Sequence, residues 1–304
     1  MKTLNQLLLP FCLAGSLLAA SGCSSNGGND NLYEPLDSAR ANAAEVLEIK
    51  QEGGLTIYYG LPSPMEMAML LNMGTSFYPE LLSPSAIIDN PGSATSTALH
   101  VGVLGVDFSY SKLYQQEEQA RQYLEAIQAL SAKLDIPQSE SDYERVRDNI
   151  ENTDSILNII NETYSKTDKY LRDNDRTNTA TLVALGGWIE AMFMATNIYY
   201  QNPEANKLLL NRIIVQKFSL NYLIQQVSVN QSDPNLAAFL KDLSLLKSIY
   251  DKVEIKFGKD EVQTDSIRRV MVVNTQTPLS ITQEQLEDIA GLVGQLRKHI
   301  VNHP

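Results

Sequence analysis

The sequence predicts an all-α protein, a multi-helix bundle of about seven or eight helices packed around two apolar central ones. Three observations carry this expectation. Apolar side chains recur at three- and four-residue spacing along most of the chain; capping residues and first-turn prolines mark the helix starts; and two segments, 96–114 and 179–200, are apolar on nearly every face. Strand character is confined to Leu55–Tyr59 and Arg269–Val273, which read as extended connectors or one small pairing.

The first 22 of the 304 residues read as an address rather than as fold. Lys2 supplies a basic start, Leu7 to Ala20 an apolar run, and Ala20-Ser21-Gly22 the small residues that precede a signal-peptide cut. Cys23, placed directly after them, resembles the lipobox of bacterial lipoproteins, although Ala20 stands where Leu is commoner. That resemblance implies cleavage before Cys23 and attachment of palmitate-like acyl chains to it. Such chains hold a protein at a membrane with about 0.8 kcal/mol per buried methylene and need no spanning helix. The other cysteine, Cys12, lies in the segment to be removed, so the mature chain is expected to have no free thiol, disulfide or cysteine metal site. Ser24 to Asn31 is polar and glycine-containing, with nothing to bury. The expected organisation is a signal peptide over 1–22, a flexible tether over 23–31 and a single all-helical domain over 32–304. Ser24, rather than Asp, follows Cys23, which by resemblance to the inner-membrane retention rules of lipoproteins implies the outer membrane; Asp30 is the one acid in the tether.

The stretch 53–96 carries Pro62, Pro64, Pro79, Pro84 and Pro91 with Gly60, Gly74 and Gly92, so it cannot form a long helix and is expected to wrap the bundle. Within it, Ser63-Pro64-Met65-Glu66 reads as cap, first-turn proline and capping-box glutamate of a short helix to about Met73. A helix follows on the stripe Leu113, Ala120, Leu124, Ile127 and Leu134. Next comes the longest run: Tyr143, Val146, Ile150, Thr153, Leu157, Ile160, Tyr164, Thr167 and Leu171 fall on one face, with Ser141-x-x-Glu144 as a capping box, predicting one helix over 141–173 roughly 48 Å long. Asn202-Pro203 and Asp233-Pro234 mark two further starts, the second leading into Leu236, Phe239, Leu243, Leu246, Tyr250 and Val253. Thr282-x-x-Gln285 opens the last stripe, Leu286, Ile289, Val293, Leu296 and Ile300.

The two apolar helices carry the unusual chemistry. His100 and Asp107 stand two turns apart on one face of the first, and Glu190 is the sole charge of the second, two residues after Trp188. Gly102 and Gly105 in one, and Gly186 and Gly187 in the other, each lower helix propensity by about 1 kcal/mol relative to alanine. Close backbone packing is the usual compensation, so the helices are expected to cross near their glycines and to bring His100, Asp107, Trp188 and Glu190 together. A buried carboxylate must be paired, hydrogen-bonded or protonated. The four residues are therefore candidate ligand-binding groups, or else members of a satisfied structural network involving Lys112, Tyr110 or backbone.

Lys and Arg number 24 against 36 Asp and Glu, a net charge of −12, which argues against nucleic acid as a partner. No metal site is read: His100, His299 and His303 are the only histidines, and no HExxH is present. Phosphate loops and a Gly-x-Ser-x-Gly elbow are absent too, so no cofactor is implied. Tyr59-Gly-Leu-Pro-Ser-Pro64 with Met65-Glu66, Val103–Asp107 and Leu185–Glu190 together resemble an uncharacterised family of helical lipoproteins of Gram-negative bacteria. The resemblance implies an envelope helical domain and no particular activity. The expected role is non-catalytic binding or scaffolding at the outer membrane, held by the lipid and facing an envelope partner. Two alternatives stand beside it: a small-ligand receptor or enzyme using a core pocket around Asp107 and Glu190, and an accessory subunit of an outer-membrane transport or assembly complex.

Overall fold

The structure is a computed structural model that describes residues 55–58, 62–71, 76–84, 87, 92–137, 139–204, 206–255, 262–265, 270–273 and 279–302, all within one compact unit. The signal peptide, Cys23, the tether and His303 lie outside the described residues. Among the described residues are nine helices: α1 (Pro64–Met69), α2 (Ala94–Leu113), α3 (Glu117–Lys133), α4 (Glu140–Asn149), α5 (Thr153–Asp173), α6 (Thr177–Gln201), α7 (Lys207–Val229), α8 (Pro234–Tyr250) and α9 (Gln283–Asn302). The protein is a multi-helix bundle. Three four-residue strands, β1 (Leu55–Tyr58), β2 (Val262–Asp265) and β3 (Val270–Val273), form an antiparallel sheet in the order β1-β3-β2, with Leu55 opposite Val273 and Val262 opposite the same residue. The two runs of strand character are thus partners, and β2 is an addition to what the pattern showed.

The central pair is α2 and α6, which make the most extensive helix contact in the molecule. Their crossing depends on glycine. A Cβ on Gly102 would meet the Val183 carbonyl oxygen at 1.9 Å, and one on Gly186 would meet the Leu99 carbonyl oxygen at 2.1 Å, so no larger residue fits at either point. The ring of Pro64, first residue of α1, sits over the same crossing and would contact a Cβ on Gly105 at 2.9 Å. With α1, α2, α5, α7 and α9 around it, α6 is buried along nearly its whole length; it is long and apolar enough to cross a membrane, yet 89% of its most apolar window is buried inside the bundle. α7 divides its apolar residues between two partners. Leu209, Ile213, Leu220, Leu223 and Val227 join the main core, while Ile214 and Val215 pack with Val253, Leu279 and Met271 beside the sheet.

Several helix starts follow the sequence signals. Ser63 and Glu66 form the capping box of α1, which ends at Met69; Asp233 accepts from Asn235 N–H at 2.9 Å before Pro234; and Thr282 and Gln285 bond reciprocally at 3.0 and 3.1 Å. Two signals fail. The helix expected over 141–173 is two, α4 and α5, because Asn152 takes an extended conformation and its side chain accepts from Ser155 N–H at 2.9 Å, starting a new helix inside the apolar stripe. The Ile150 carbonyl left free at the break accepts from the ammonium of Lys112, which is fully buried and also pairs with Glu117. The cap of α4 is Ser139, not Ser141. Likewise α7 starts at Lys207 rather than at Pro203: Asn206 donates its N–H to the Asn202 carbonyl, and its side chain donates back to the Ile198 carbonyl in α6.

Candidate functional site

Asp107 on α2 and Glu190 on α6 are both fully buried and face one another across the helix pair, a turn or more beyond the glycine crossing. Three further residues complete the cluster. Arg297, on α9, binds Glu190 in bidentate fashion, Nε to Oε2 at 2.8 Å and Nη2 to Oε1 at 2.9 Å, and its guanidinium lies 4.1 Å above the Phe193 ring. Ser83, in the wrapping segment, donates its N–H to Asp107 Oδ2 at 3.3 Å and its hydroxyl to Glu190 Oε1 at 3.4 Å. Tyr123, on α3, donates to the Ser83 carbonyl at 3.2 Å, and Arg297 also donates to the Leu81 carbonyl at 3.1 Å. Five separate pieces of chain therefore meet at two acids.

The electrostatics separate the two carboxyls. Burial, and then the negative charge of Glu190, push the Asp107 carboxyl well above its ordinary range. Burial raises Glu190 as well, but the Arg297 guanidinium opposes it directly, as do hydrogen bonds from Ser83 and Asp107. Asp107 Oδ1 is buried and finds no hydrogen-bond donor. An ionised Asp107 would leave that oxygen orphaned, whereas a protonated Asp107 is a donor to Glu190. The arrangement favours the proton on Asp107 and the negative charge on Glu190, the carboxylate that Arg297 holds.

His100 lies on the same face of α2 as Asp107 but meets a different atom: its Nε2 is 2.9 Å from the Ile300 carbonyl. A carbonyl only accepts, so Nε2 carries the hydrogen, and Nδ1 is a buried acceptor without a partner. Burial lowers the His100 pKa, which keeps the ring neutral. Trp188 points the other way. Its indole N–H donates to Gln216 of α7 at 3.2 Å, on the opposite side of α6 from Glu190. The structure thus gathers Asp107 and Glu190, places His100 one helical turn along α9, and sets Trp188 against α7.

Sequence reasoning did not single out Ser83, Tyr123 or Arg297. Arg297 left a trace, since it stands four after Val293 and three before Ile300, a cation set into the apolar stripe of α9. Ser83 left none, because one serine among prolines reads as loop. Lys112 and Tyr110, the partners considered for Asp107, are occupied elsewhere: Lys112 at Glu117 and Ile150, Tyr110 as acceptor of the Tyr78 N–H.

Two clefts open on the surface. One of about 350 Å³ lies between α3 and α4, lined by Arg121, Leu124, Val146 and Arg147 among others. One of about 110 Å³ runs between α5 and the central pair, lined mainly by apolar residues such as Val101, Ile160, Leu171 and Val183. Neither is lined by Asp107 or Glu190. Among the described residues no group of three His, Cys, Asp or Glu side chains is placed to hold a metal ion.

No family model, no curated protein and no solved structure matches the chain. What the cluster does is therefore read from its own geometry. With neither acid lining these clefts and one of them held by a bidentate arginine, the cluster acts as a joint, fastening α9 and the segment 76–84 to the α2–α6 pair.

Proposed function

We propose that the protein is a lipid-anchored component of the bacterial cell envelope, attached to the outer membrane through Cys23, with a non-catalytic binding or scaffolding role. The anchor rests on the signal-like segment before Cys23 and the polar tether after it. The non-catalytic reading rests on one observation: Glu190, the carboxylate best placed for chemistry, is fully buried and bound by Arg297 on both oxygens. General acid or base catalysis needs a group that can reach a substrate proton. Here the charged groups are spent on internal joints, which leaves the helix surfaces to meet an envelope partner.

Fractionation of cells expressing the full chain, with labelled palmitate in the medium, tests this. The wild type is expected in the outer-membrane fraction and carrying label; Cys23→Ala is expected unlabelled and free of the membrane, with unchanged helical content. Persistent membrane association of Cys23→Ala, or a wild type without label, would overturn the lipid anchor. A catalytic role would be supported instead by turnover that is lost in Glu190→Gln while the fold is retained.

A further inference from the structure

The last helix is fastened to the core at two points one turn apart: Arg297 on Glu190 and the Leu81 carbonyl, and the Ile300 carbonyl on His100. At the first point the charged and titratable groups that face one another are Asp107 from α2, Tyr123 from α3, Glu190 from α6 and Arg297 from α9, with Ser83 bonded to both acids and to the guanidinium. Tyr123 is neutral and spends its hydrogen on Ser83. Two ionised carboxylates against one guanidinium would leave an excess negative charge in a site closed to solvent, which is strongly unfavourable. One proton removes the excess and also satisfies Asp107 Oδ1, the buried oxygen that has no donor.

We propose that Asp107, Glu190 and Arg297 form a proton-controlled latch, which holds α9 and the segment 76–84 closed over the α2–α6 pair while Asp107 carries a proton and loosens them when that proton leaves. The step is a simple ionisation: the O–H bond of Asp107 breaks, the electron pair stays on the carboxylate and the proton passes to water. The new charge has no donor on Oδ1, so it draws water into the site. Water can enter only if a covering element moves. The tighter contacts are the α2–α6 crossing, whose glycines admit no Cβ, and α3, packed extensively along α2; α9 and the segment around Ser83 are what remains to move. Opening would expose the apolar face of α9, from Leu286 to Ile300.

Hydrogen exchange on the full-length protein from pH 5 to 9 tests the latch, with each amide expressed as protection relative to its own intrinsic rate. In the wild type, protection of α9 is expected to fall about tenfold or more relative to α6 as pH rises. Asp107→Asn, which donates to Glu190 at every pH, is expected to hold α9 at its low-pH protection throughout. An α9 whose protection tracks that of α6 across the range would overturn the latch, as would an Asp107→Asn protein showing the same pH-dependent loss as wild type. The wild-type measurement decides alone if the variant does not fold. None of these outcomes depends on lipidation at Cys23.

Discussion

A Cβ on Gly102 would stand 1.9 Å from the carbonyl oxygen of Val183, so the two central helices meet backbone to backbone. Neither neighbour can yield, since the contact is with main chain on one side and a buried helix on the other. Gly102→Ala is expected to lose about 3 kcal/mol or more in urea unfolding, at the upper end for an overpacked core. Gly291 in α9 is the control: nothing lies within 4 Å of the point where an alanine methyl would stand, and Gly291→Ala should gain about 0.5 to 1 kcal/mol from helix propensity alone. Equal effects at the two sites would mean that α2 and α6 do not cross this closely.

Glu190→Gln separates a structural carboxylate from one retained at a cost to the fold. Arg297 has only 14% of its side chain exposed, so water offers the abandoned guanidinium little relief. The expected loss at neutral pH is about 3 kcal/mol, the range for breaking a buried pair from one side. Adding Arg297→Met should recover part of it, because the uncompensated charge is then gone as well. A Glu190→Gln protein as stable as wild type, or more so, would move the weight of interpretation to a ligand site.

The pH dependence of stability has a definite sign at Asp107. Its carboxyl is raised well above the ordinary 3.8 in the folded state, so the folded protein keeps a proton that the unfolded chain releases. The contribution is complete below pH 3.8 and is lost as pH rises through the folded value, at about 1.4 kcal/mol per pH unit in between. His100 acts the other way, since its lowered pKa means stability present above 6.5 and lost as pH falls through the folded value. The difference between wild type and Asp107→Asn cancels the histidine. That difference, from urea unfolding between pH 4 and 8, should move steadily in favour of the variant as pH rises, and a flat difference would show that Asp107 is ionised in the fold.

Much of this architecture is legible in the residues, and the parts that are not share a cause. Gly102 and Gly186 announce a close crossing because glycine inside an apolar helix is otherwise destabilising. Asp107 and Glu190 announce a joint because a charge among apolar residues demands a partner. The partner itself is illegible, since Arg297 follows Glu190 by 107 residues and only the packing of α9 brings them together. The break between α4 and α5 is hidden for a different reason. Ile150, Thr153 and Leu157 keep helical spacing through it, while Asn152 and the buried ammonium of Lys112 favour a new start. α7 shows no single stripe because it faces both the core and the sheet.

The turns ending α2, α3 and α5 are equally hidden, because none contains the glycine that marks such a turn. Gln115, Asp135 and Asp175 take its place with φ of 57°, 51° and 57°, each followed by a residue whose N–H bonds back to the third-last helical carbonyl: Gln116 to Ser111, Ile136 to Ser131, Arg176 to Leu171. A side chain in this left-handed conformation costs about 1 kcal/mol, and less for aspartate, whose short polar group tolerates it. Glycine removes that strain and adds some freedom to the unfolded chain, so the two effects partly offset one another. Asp135→Gly and Asp175→Gly are each expected to gain about 0.5 kcal/mol in urea unfolding, and because Arg176 donates to the carbonyls of Leu134 and Asp135 the two turns are coupled, so the pair should depart from simple addition. Their alanine counterparts should lose stability instead, because alanine keeps the Cβ and gives up the polar group. An alanine variant as stable as the glycine one would show that the left-handed turn does not form.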